Sequence, residues 1–138
     1  MAVIEVDHFL PRPAEKVWEA LTDPVLLERW LMPNDFNPVI GHQFTFRTEP
    51  VPRYGFDGVV HCQVLAIEPP RLLRFGWRGG NLDTTVTWRL VPEGTGTRFL
   101  ISHDGFDETD PAQRATMDIL GGGWRGRLLR SLLTALDN

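Results

Sequence analysis

The stretch from Asp110 to Asn138 constrains this chain most, because it reads as one long helix that must be covered along one face. Asp110 suits the cap, Pro111 the first helical position, and Gln113 the place where a capping box wants Gln or Glu. Met117, Leu120, Trp124, Leu128, Leu132 and Ala135 then recur at steps of three or four, and Leu129, Leu133 and Leu136 widen the stripe. About twenty-five helical residues run roughly 35–40 Å, enough to cross a small domain. Gly121, Gly122 and Gly123 interrupt the pattern, and each costs about 1 kcal/mol relative to Ala in mid-helix. They read first as a kink, or as the join between two helices. Missing side chains there also leave room for a close-packed sheet or a ligand.

What precedes the helix alternates. Val3 to Leu10 places Ile4, Val6 and His8 on one face, a strand stopped by Pro11 and Pro13. Ala14, Val17, Trp18 and Leu21 recur at helical spacing. Asp23 then caps a second short helix that carries Leu26, Leu27, Trp30 and Leu31. Met32 to His42 is loop-like. Strands follow at Gln43–Thr48 and Phe56–Ile67, then around Leu73, Phe75 and Trp77, around Val86, Trp88 and Leu90, and around Phe99, Ile101 and His103. Pro92 to Gly96 is a hairpin turn, and Asp104 to Thr109 leads into the helix. An antiparallel sheet of this kind has one face to bury, and the C-terminal helix is the only long amphipathic element available to cover it. The expectation is one α+β domain over residues 1–138, a curved sheet gripping the helix.

With 138 residues the chain can hold a real core, and 42% hydrophobic with 23% charged residues is ordinary for a globular protein. A net charge of −4 argues against a nucleic-acid partner. No apolar run reaches membrane-spanning length, and the alternating, acidic N-terminus does not read as a signal peptide. Cys62 stands alone, so no internal disulfide forms and a cytoplasmic location is the default. Five Trp and eight Phe against one Tyr suit a bulky core or a pocket for an apolar ligand.

Taken together, several stretches resemble the helix-grip fold of the START-like (SRPBCC) superfamily. More narrowly they are similar to the family homologous to the C-terminal domain of the heat-shock-protein-90 ATPase activator. The matching stretches are Pro13 to Thr22 with Trp30 after it, Gly58, Pro69-Pro70-Arg71-Leu72 with Phe75 and Trp77, and Gly96-Thr97-Arg98. They end with His103-Asp104-Gly105-Phe106 and with Gly123-Trp124 followed by Leu128 and Leu132. The resemblance implies a hydrophobic small molecule held between helix and sheet, and its family name implies a chaperone partner and a part in the stress response. The eukaryotic activator is a longer chain. Here the first strand starts at Ala2 or Val3, which argues against chaperone activation.

Three functions compete. Binding of an apolar or aromatic small molecule leads, with Phe44, Phe46, Phe75, Trp77, Trp88 and Phe99 from the strands as inward-facing candidates. Met117, Leu120, Gly121 and Trp124 contribute from the helix, and His103 is the candidate polar group, although a satisfied core histidine is the simpler reading of it. Trp30 and Trp77 suit the entrance. A protein-interaction module is the alternative. Arg114, Arg125, Arg127 and Arg130 make a basic helix face, but such a face is usually just solvated. A cyclase or hydrolase is the third: His103, Asp57 and Asp104 could titrate, yet no catalytic motif accompanies them, so binding without catalysis is expected. The four histidines lack metal-ligand spacing, and Cys62 reads as a small buried apolar residue, so no metal or cofactor is expected. A homodimer through a β-edge or a helix face is left open.

Overall fold

The first strand, β1 (Ala2–Leu10), buries Ile4, Val6 and Leu10 and turns Glu5, Asp7 and Phe9 outward, as its alternation requires. The computed structural model describes residues 2–137; Met1 and Asn138 of the expected span lie outside the described residues. After Pro13, α1 (Ala14–Thr22) buries Ala14, Val17, Ala20 and Leu21. In α2 (Pro24–Trp30) the Asp23 carboxylate accepts from the Val25 and Leu26 amides at 2.9 and 3.4 Å, with Pro24 in the first turn. The Trp30 indole N–H donates to the Ala20 carbonyl at 2.8 Å, which ties the two short helices together.

Five strands follow: β2 (Gln43–Arg47), β3 (Val59–Glu68), β4 (Leu72–Gly79), β5 (Leu82–Glu93) and β6 (Gly96–Phe106). All neighbours pair antiparallel in the order β1-β6-β5-β4-β3-β2, so β1 and β2 are the two edges. The meander places each of β2 to β6 beside its predecessor. β1 then pairs with β6 in a register that sets Ile4 opposite His103 and Val6 opposite Ile101.

The sixth strand runs further than its sequence suggests. Asp104–Phe106 reads as loop, yet it continues the ladder through a bulge at Gly105. Gly105 has φ +100°, which L side chains rarely adopt, and a Cβ there would stand 3.3 Å from the Thr84 Cα. The extra residue resets the alternation, so Phe106 joins His103 inside, with ring centroids 4.7 Å apart.

The long C-terminal helix has three parts. α3 (Pro111–Gly122) starts with Asp110 accepting from the Ala112 amide at 2.9 Å. Gln113 does not close a capping box. Its Oε1 accepts from the Asp107 amide at 2.8 Å and its Nε2 donates to the Asn81 carbonyl at 3.0 Å, so it fastens the helix start to the β4–β5 turn. The chain then passes through a π-helical turn (Gly123–Arg127), in which the Leu128 N–H reaches the Gly123 carbonyl, and continues as α4 (Leu128–Leu136). The glycines therefore shift the helical phase without breaking the helix. α4 buries Leu132, Ala135 and Leu136. In α3 only Gly121 is buried; Met117 and Leu120 stay half-exposed. The result is a six-stranded curved antiparallel sheet covered by the C-terminal helix, with two short helices after the first strand.

Candidate functional site

The half-exposed face of α3 looks into a pocket of about 890 Å³, within the usual range for small-molecule sites. From the helix it is lined by Thr116, Ile119, Leu120 and Gly122 of α3, by Gly123, Trp124, Gly126 and Arg127 of the π turn, and by Leu128 and Arg130 at the start of α4. Val60, Trp77 and Leu82 supply the sheet side. Leu31 and Met32 follow α2, and Arg47, Thr48, Glu49, Val51, Tyr54 and Phe56 form the opposite lip. The pocket lies along the C-terminal half of α3, where Thr116, Ile119, Leu120 and Gly122 face it while Met117 and Leu120 rest partly on the core.

The π turn decides what this wall presents. A Cβ on Gly122 would meet no atom within 4 Å, although its backbone is ordinary right-handed helix (φ −61°, ψ −40°). Glycine is thus not needed here for backbone conformation; it leaves the pocket open. Gly121 points the other way, where a Cβ would lie 3.9 Å from the Ile4 Cδ1 and 2.8 Å from the Arg125 guanidinium. π turns concentrate at functional sites, because the inserted residue re-aims the side chains around it.

Three of the expected site residues, Trp77, Leu120 and Trp124, line the pocket. Phe44, Phe46, Phe75, Trp88 and Phe99 pack behind it as an aromatic core of tilted and edge-to-face rings: Phe44 lies 5.8 Å from Phe75 with the rings tilted, while Phe75 and Trp88 at 4.9 Å and Trp88 and Phe99 at 6.2 Å meet edge to face. Met117 rests on the core beside the pocket, and Gly121 faces the sheet. Trp30 is no entrance residue. It is buried by α1 and by the Trp88 ring 5.4 Å away. Among the described residues no group of three or more His, Cys, Asp and Glu side chains could hold a metal ion.

His103 is fully buried and does not line the pocket. The Trp124 indole N–H donates to its Nδ1 at 3.1 Å. An indole can only donate, so the proton sits on Nε2, which donates to the Thr84 hydroxyl at 2.7 Å. That hydroxyl donates in turn to the Trp77 carbonyl at 2.9 Å. Every donor in this chain has an acceptor, and burial pushes the imidazole down to a pKa of about 3, so the ring is neutral at ordinary pH. His103 thus positions the two tryptophans of the pocket wall, both of whose rings lie within about 6 Å of its own. Cys62 is equally unreactive, since burial pushes its thiol up and keeps it protonated.

Sequence reasoning missed the lip formed by residues 47–56 and the arginines of the helix wall. The loop carries no periodic pattern. Arg127 and Arg130 look like any solvated helix arginine until the π turn swings them toward the pocket. Gly126 was the available signal, a fourth glycine within six residues.

A search of curated protein sequences finds no match. Solved structures match along the whole chain. Protein MLL2253 from Mesorhizobium loti is 34% identical, with a TM-score of 0.87 over 99% of this chain and 97% of that one. Protein BH1534 from Bacillus halodurans is 29% identical, with a TM-score of 0.78 over 99% and 97%. The Aha1 dimer from Colwellia psychrerythraea, at 22% identity and a TM-score of 0.78 over 99% and 96%, shares the fold. A sequence profile described as activator of Hsp90 ATPase homolog 1-like protein matches residues 11–137. With that profile spanning nearly all of the chain and the helix-grip architecture beside it, the protein belongs to the activator of Hsp90 ATPase homolog 1-like family of START-like proteins.

Proposed function

We propose that this protein binds a hydrophobic or aromatic small molecule in the pocket between the C-terminal helix and the sheet, without transforming it. The observation that carries this reading is the open glycine wall. At Gly122 a helix accepts the cost of a glycine that its backbone does not require, and the space released belongs to the pocket. Trp77, Leu120 and Trp124 offer flat and branched apolar surface, while Thr116, Asn81 and Tyr54 supply scattered polar groups. That mixture suits an apolar body with a few oriented polar atoms. The one buried histidine beside the pocket is hydrogen-bonded on both nitrogens and stays neutral, so it supports a wall in position and no proton transfer.

The test is Gly122→Leu, read against native mass spectrometry of the freshly purified protein and titration with an apolar fluorescent probe. Gly122 is solvent-facing and in regular helical conformation, so the variant should fold at least as well as the parent. Its side chain projects into the open pocket and takes the space the ligand would use. Retained ligand mass and probe binding should disappear together, and a variant that binds like the parent would sink the reading.

A further inference from the structure

The charges around the pocket run against those of the molecule. The chain as a whole carries −4, yet the pocket wall holds Arg47, Arg127 and Arg130 against Glu49 alone, a local balance of 3 − 1 = +2. Ion pairs elsewhere in the described residues join Arg12 to Asp137, Arg71 to Glu68, and Arg98 to both Asp7 and Glu93; none involves the three pocket arginines. Their guanidinium groups also make no hydrogen bond within the described residues. Arg130 is placed by a second missing side chain: its Nη1 lies 3.4 Å from where a Cβ on Gly126 would stand, and Gly126 is itself a pocket residue. All three arginines are exposed. An anion arriving with an apolar body would find donors already gathered on two sides of the pocket, Arg47 on the lip and Arg127 and Arg130 on the helix.

We infer that the ligand is an anionic amphipath, with a carboxylate or phosphate-type head group held by Arg127, Arg130 and Arg47 and an apolar body against Trp77, Leu120 and Trp124. This rests on the pocket reading above and narrows it. Guanidinium groups suit such heads because their fork matches paired oxygens and their charge is permanent. The apolar floor rejects an ion without a hydrophobic body. The net negative charge of the rest of the surface keeps anions from collecting elsewhere.

The experiment compares dodecanoate with 1-dodecanol, the same chain without the charge, by calorimetry on the full chain below the micellar concentration. It uses the parent, the Arg127→Gln/Arg130→Gln double variant and Gly122→Leu. Dodecanoate should bind the parent at least about tenfold more tightly than dodecanol, and raising salt from roughly 20 to 200 mM should narrow the gap. The double variant should bring dodecanoate down to the dodecanol level and leave dodecanol unchanged, and Gly122→Leu should remove both. Dodecyl phosphate in a parallel titration separates the two head-group types. Equal binding of acid and alcohol, lost together in Gly122→Leu, would overturn the anionic inference and leave the pocket reading standing. Binding of neither would overturn both.

Discussion

Trp124 and Trp88 are equally buried, at 1% exposure each, and differ in what their indole nitrogens find. The Trp124 N–H donates to His103, whereas the Trp88 N–H has no partner among the described residues. Trp→Phe removes similar apolar bulk at both positions. Trp124→Phe also strands the His103 Nδ1 acceptor, while Trp88→Phe discards a donor that was already unsatisfied. Leaving a buried polar atom unpaired costs about 1–3 kcal/mol, so Trp124→Phe should be the more destabilising change by that margin in urea unfolding at neutral pH. Equal shifts in the two midpoints would refute the network. The same histidine links stability to acid. Its folded-state pKa is lowered from 6.5 to about 3, so between those values the unfolded chain takes up a proton that the folded chain refuses. Its contribution is complete above pH 6.5 and is lost as pH falls through the window, at up to about 1.4 kcal/mol per unit. Between pH 6.5 and 5, above the carboxylate range, the parent should lose stability more steeply than His103→Gln. Parallel curves would mean that His103 is not held neutral.

At the scale of elements, much of the architecture is legible because period and burial coincide. Phe75 and Trp77 in β4, Trp88 and Leu90 in β5, and Phe99 and Ile101 in β6 alternate strictly, and each turns inward as its spacing dictates. Legibility fails where one residue is inserted. The Gly105 bulge carries Phe106 into the core from what reads as loop, and the π turn at Gly123–Arg127 rotates everything before it relative to α4. No periodicity rule places a one-residue insertion, so the sequence shows which residues are apolar and leaves open which of them face a void. Phe75 and Trp77 look alike on paper. Both are packed among other rings, Trp77 against Phe46, Phe75 and Trp124 of the helix, but only Trp77 also borders the pocket. Gly122 was likewise visible as a helix breaker, while its open side, set against Gly121 facing the sheet, follows from the phase of the turn.

The whole molecule is built in two unequal parts around its pocket. α4 buries Leu132, Ala135 and Leu136 and packs on α1 and α2, whereas α3 is fastened mainly at its start, through Asp110 and Gln113 to Asn81 and the Asp107 turn. Ile119, 58% exposed, stands over the pocket with nothing beyond it. Segments with little buried apolar surface open at the low end of a protein's range of local stabilities. In hydrogen exchange of the free protein, the amides of residues 112–122 in α3 should therefore exchange well before those of Leu128–Leu136, although both belong to one continuous helix. A ligand in the pocket supplies the missing contacts and stabilises only the closed state, so saturating dodecanoate should slow exchange in α3 and along residues 47–56 while leaving residues 131–136 near their original rate. Uniform protection along the helix before ligand is added would show that α3 is held by something other than its N-terminal fastening. Slowing confined to residues 131–136, which do not line the pocket, would place the ligand elsewhere. Because the two halves are compared within one experiment, the result does not depend on the global stability of the fold.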